Sequence, residues 1–110
     1  MELKMVEKKR VDNRMVETYE IAGYKVKKIR WFESGYERVD MGFAKGEYMP
    51  DIYTKTTDEG DLIGFEIQTT SYGALSVEET KKVVAGLTTA IEVVEILTKE
   101  FVREEKEKRK

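Results

Sequence analysis

The sequence predicts an α+β fold: an antiparallel sheet of five or six strands, then one long C-terminal helix packed on one face. Three observations point there. Ser76-Val77-Glu78-Glu79 is a capping box, in which the Ser76 hydroxyl accepts from the Glu79 amide and the Glu79 carboxylate reaches back to the Ser76 amide. Val83, Leu87, Ala90, Val94, Leu97 and Phe101 recur at spacings of four, three, four, three and four, a period no strand has. Before them, short runs alternate apolar and polar residues between turn signals.

In chain order, residues 2–11 read as the first strand, carried by Leu3, Met5 and Val11. Asp12-Asn13 is a two-residue hairpin turn, since both side chains tolerate positive φ. The second strand covers 14–22, and Ala22-Gly23 turns the chain into a third over 24–33. A helix over 2–19 competes, but it would carry Asp12-Asn13 in its middle. The third strand changes phase: Tyr24 and Val26 point one way, whereas Ile29 and Trp31 have the opposite parity. One inserted residue does this, so the pattern predicts a β-bulge near Lys27-Lys28.

Residues 36–44 follow as a strand with Val39, Met41 and Phe43 inward over a solvated Arg38 and Asp40. Residues 47–57 form the next, marked as an edge or irregular by Pro50, which cannot donate to a ladder. Asp58-Glu59-Gly60-Asp61 is a loop, and 62–70 is the last strand, alternating Ile63, Phe65, Ile67 and Thr69. The helix runs from 76 to about 105, and residues 103–110 are an alternating-charge tail.

The apolar arc of that helix is broader than one sheet face needs, because Val93 and Ile96 extend it on one flank. Either the helix is sunk deep in its own domain, or one flank meets a second copy of the chain. An interior glycine costs roughly 1 kcal/mol against alanine, so Gly86, four residues before Ala90, suggests a close backbone approach. Gly86, Ala90, Val93 and Ile96 are therefore the expected homodimer interface.

At 110 residues the chain is read as one domain over 1–110 with a soluble, heavily charged surface. No apolar run reaches the roughly 18 residues of a membrane span, and a cytoplasmic location is expected. The absence of both His and Cys removes imidazole bases, thiol nucleophiles and nearly every zinc, copper or haem site. We expect no catalytic residue, metal or cofactor. Charge is uneven: residues 1–30 carry nine basic and five acidic side chains, residues 31–80 three and eleven.

Two surfaces stand out. Glu37, Asp40, Glu47, Tyr48, Asp51 and Tyr53 form an acidic, tyrosine-bearing stretch suited to a protein partner; its bland reading is solvated surface. Lys25, Lys27, Lys28, Arg30, Trp31 and Phe32 form a basic-aromatic run of the kind that holds single-stranded nucleic acid. Its bland reading is a lysine face over a core tryptophan, and the near-neutral net charge argues against nucleic acid as a partner.

The run FEIQTTSYGALSVEETKKVVAGLTTAIEVVEILTKEF, residues 65–101, resembles small uncharacterised phage and prophage proteins of low-GC Gram-positive bacteria. The resemblance rests on a strand, a Tyr-Gly link and a capped helix. It implies a phage accessory role, which includes inhibitors of host defence such as anti-CRISPR proteins, acting in the host cytoplasm. It carries over no functional residue. The expected function is thus a non-enzymatic module that binds a host protein through the acidic stretch. The alternatives are a nucleotide-like small-molecule sponge or sensor, and a single-strand nucleic-acid binder.

Overall fold

The computed structural model describes residues 1–102 and has the α+β architecture expected. Six strands precede the helix: β1 (Lys4–Val11), β2 (Arg14–Ile21), β3 (Tyr24–Trp31), β4 (Glu37–Met41), β5 (Asp51–Thr56) and β6 (Leu62–Gln68), followed by α1 (Val77–Phe101). All pairings are antiparallel, but the strands form two sheets, β1-β2-β3-β4 and β5-β6. The break falls where residues 42–50 leave the ladder. β4 stops at Met41 and β5 begins immediately after Pro50, whose missing N–H ends the pairing on that side. Phe43, expected to face inward, lies past the strand end and is exposed.

The turns form where their residues dictate. Asp12 (φ 55°) and the Ala22-Gly23 pair (φ 46° and 87°) supply the left-handed backbone that tight hairpins need. The bulge expected at Lys27-Lys28 is not there: β3 keeps continuous register with both β2 and β4. Its apolar parity switches because its first half faces the core and Ile29 is buried on the opposite face. Tyr24 and Val26 face the helix, while Ile29 is buried on the other side with Val16 and Arg38 directly across from it. The bulges lie elsewhere. Register shifts between Met5 and Glu7 in β1, and between Lys55 and Thr56 opposite Gly64 and Leu62. The extra residues, Val6 and Ile63, are left exposed.

One helix face joins the two sheets. Ala90, Val93 and Leu97 are fully buried against Ile21, Tyr24, Val26, Val39 and Ile52. Each large apolar side chain so enclosed contributes about 1.5–3 kcal/mol. The capping box is complete, with Ser76 Oγ accepting from Glu79 N at 3.1 Å and Glu79 Oε1 accepting from Ser76 N at 3.0 Å. The helix ends at Phe101, short of the expected 105, because Val102 turns to extended backbone while its N–H still donates to Thr98 O at 3.0 Å. The expected charged tail, 103–110, lies outside the described residues. No helix among the described residues is long and apolar enough to cross a membrane.

The expected dimer residues are used within the chain. Ala90 and Val93 have no surface left to offer a partner, and Ile96 is half-buried against the same core. At Gly86 the close backbone is the chain's own: a β-carbon there would run into the Tyr48 carbonyl oxygen, with Pro50 just beyond.

Candidate nucleic-acid interface

Sheet register, rather than proximity in sequence, assembles the strongest surface feature. Cross-strand partners Arg10↔Met15↔Arg30 form one row and Val11↔Arg14↔Trp31 the next, at the end of the sheet that carries the Asp12-Asn13 turn. Strand alternation sends the first row to the helix side and Arg14 and Trp31 to the outer face. Among the described residues, helix cover stops short of both rows. Phe101, the last helical residue, meets Tyr19 edge-on at 5.4 Å, and Met15 lies four residues farther along β2, about 13 Å on.

Aromatic rings occupy this overhang. Trp31 stacks on Tyr36 at 5.5 Å, and the turn between them is closed by Gly35 N donating to Trp31 O and Trp31 N donating to Tyr36 O. Gly35 takes φ 70° there. Phe32 is held by its N–H on Asn13 O at 2.9 Å, which ties the end of β3 to the β1–β2 turn. The rings collect guanidinium groups. Arg10 lies 4.7 Å over Phe32, and Arg14 and Arg38 lie 6.0 and 5.7 Å from Trp31, within the range of cation–π attraction. With Arg30, these are all four arginines of the described residues, gathered at one end of one sheet. Arg38 also pairs with Asp40 at 3.1 Å; Arg14 and Arg30 make no ion pair among the described residues. Phe32 and Tyr36 stay 40% and 39% exposed.

Two depressions adjoin this end. Lys8, Met15, Glu17, Lys28 and Arg30 line a shallow one of about 210 Å³ on the helix side. Across Lys28, a groove of about 510 Å³ runs between the start of β4 and the loop before β6, lined by Tyr36, Glu37, Arg38, Gly60, Asp61 and Glu100. Lys28 is paired with Glu37 at 3.0 Å and Lys8 with Glu17 at 3.6 Å. Tyr19, between sheet and helix end, has its phenol pushed up to about 12 by burial, then by its hydrogen bond to Glu17 and the charges of Glu17 and Glu100.

The basic-aromatic run read from sequence is thus divided. Lys25, Lys27 and Trp31 share the outer face, Lys28 and Arg30 the helix side, and Phe32 sits past the strand. Its missing members are Arg10, Arg14, Tyr36 and Arg38, which register brings in from other strands.

The acidic stretch is not gathered in the same way. Glu37 lies on the helix side of β4 and Asp40 on its outer face, each paired with a cation. Asp51 accepts the Ala44 amide at 3.0 Å and so organises the loop before β5. Tyr48 donates to Glu79 at 3.2 Å, which fastens that loop to the start of the helix, and packs at a tilt on Tyr72 with ring centroids 5.5 Å apart. Glu47 and Tyr53 are exposed. Among the described residues, no cluster of acidic side chains could hold a metal ion.

The chain matches no protein-family model, no curated protein and no solved structure.

Proposed function

We propose that this chain is a non-catalytic binding protein that holds single-stranded nucleic acid on the arginine-aromatic end of its four-stranded sheet. One observation carries the reading: at one end of the sheet Arg10 lies over Phe32, Arg14 and Arg38 lie beside Trp31 and Arg30 shares the row of Arg10, with Phe32 and Tyr36 exposed. Guanidinium groups neutralise phosphates, exposed rings stack on bases, and the combination tolerates any sequence because every base has a π-face. Lys25 and Lys27 continue the track away from Trp31 on the outer face, about 6.7 Å apart. Arginines already lying against rings lose less freedom when a phosphate arrives.

Fluorescence anisotropy with labelled single-stranded DNA and RNA tests this, and Trp31, the sole tryptophan, provides an intrinsic signal at the site. Binding is expected to weaken with salt. Phe32→Ala should cost about 1–3 kcal/mol for a lost base stack, and Arg14→Ala should flatten the salt dependence. No binding at low salt, or binding indifferent to both substitutions, overturns the assignment and leaves a protein partner as the function to pursue.

A further inference from the structure

A second surface is independent of the arginine end. The helix carries two apolar patterns: the sheets bury one and cover only part of the other. Val77, Thr80, Val84, Leu87, Ile91, Val94, Thr98 and Phe101 alternate at spacings of three and four along its whole length, which is the seam of a coiled coil. Ala90, Val93 and Leu97, the residues in the core, lie off this seam. Half of its six apolar residues are open: Val77, Val84 and Ile91 are 72%, 57% and 51% exposed. The other half, Leu87, Val94 and Phe101, is half-buried. Beside the open half stand Lys81, Thr88 and Glu95, all exposed.

We infer that this seam is the interface of a homodimer in which the α1 helices of two copies pair antiparallel. The sequence of the seam is complementary to itself in that orientation. Set head to tail about the middle of the helix, Val84 meets the partner's Val94, Leu87 meets the partner's Ile91 and Val77 meets the partner's Phe101. Thr80 then lies over the partner's Thr98, so every layer matches like with like. In the same register Lys81 falls beside the partner's Glu95, and Thr88 faces its own copy.

A parallel pair lacks this charge match, because its flanking contacts would need Val83, which is uncharged, and Ala90 and Leu97, which are buried in the chain's own core. Antiparallel packing also sets the positive end of each helix dipole beside the negative end of the other. Lys81 is free to change partner, since its contact with Glu78 is 3.9 Å long and fully solvated.

Sedimentation velocity over a dilution series tests the inference, with circular dichroism to show that each variant keeps its helix. Wild type is expected to sediment as a dimer that dissociates on dilution. Val84→Glu should give a monomer at every concentration. Lys81→Glu should weaken the dimer at least tenfold, and adding Glu95→Lys to it should restore the wild-type constant. A monomeric wild type, or a dimer untouched by Val84→Glu, overturns the interface. A charge swap that fails to restore the dimer overturns the antiparallel register.

Discussion

The carbonyl oxygen of Tyr48 occupies the space that a β-carbon on Gly86 would need. Tyr48 reaches that position with a left-handed backbone (φ 66°) and fixes its ring between Glu79 and Tyr72. The loop before β5 therefore lies directly on the first half of the helix, backbone against backbone.

In a free helix, Gly→Ala gains roughly 1 kcal/mol. Gly86→Ala is expected to reverse that sign and lose about 1–3 kcal/mol, because the methyl group must displace main chain rather than a flexible side chain. Urea denaturation measures it; a stabilised variant would show that the loop yields freely.

The buried phenol of Tyr24 donates to Pro50 O at 2.5 Å, joining β3 to the start of β5 across the gap between the sheets. Tyr24→Phe keeps the ring and removes the donor. The orphaned carbonyl should cost about 1–3 kcal/mol, with amide exchange in residues 51–56 rising more than in β2. Uniform exchange throughout the chain would argue against a local tie.

Ala22 adopts φ 46° in the β2–β3 turn, a conformation that costs an L-residue about 1–2 kcal/mol. Its side chain is exposed, so Ala22→Asn should stabilise the fold by up to about 1 kcal/mol with no loss of packing. A lower thermal midpoint would contradict this.

Glu79 has its carboxyl held below the ordinary 4.5 by the Ser76 backbone amide first, then by the Ser76 side chain and the Tyr48 hydroxyl. A depressed folded-state pKa contributes stability above the unfolded value that is lost as pH falls through the folded one. Wild type should therefore lose its advantage over Glu79→Gln below about pH 4.5 and keep it at neutral pH. A constant difference in denaturation midpoint across that range would exclude the carboxylate as its source.

What the sequence reveals of this fold divides along the line between local and distant interactions. The capping box, the Asp12-Asn13 turn and the Ala22-Gly23 turn are written in adjacent residues, and each forms as read. The division into two sheets depends on what Met41 and Asp51 can no longer pair with, and no local pattern states that. The parity switch in β3 is a real signal that comes from burial of Ile29 on the opposite face, while the true bulges fall at Val6, where alternation is weak, and at Ile63, whose parity continues that of Phe65 and Ile67 and so conceals the bulge. Gly86 announces a close approach without naming whose backbone approaches. Only part of the candidate site can be read, because positions 10, 14, 30 and 38 become neighbours through strand register alone.

The part of the sheet that extends past the described helix has a consequence for how such a chain can change over time. Phe32, Arg10, Arg14 and Arg30 sit on three strands and a turn that extend past the described helix, while Ile21 and Val26, at the other end of those strands, meet Val93 and Leu97 of the helix in the core. Substitutions at the overhang alter what the surface attracts and leave the buried contacts intact. Recognition and folding are thus specified by different residues on shared strands, so selection can rewrite the first without rebuilding the second.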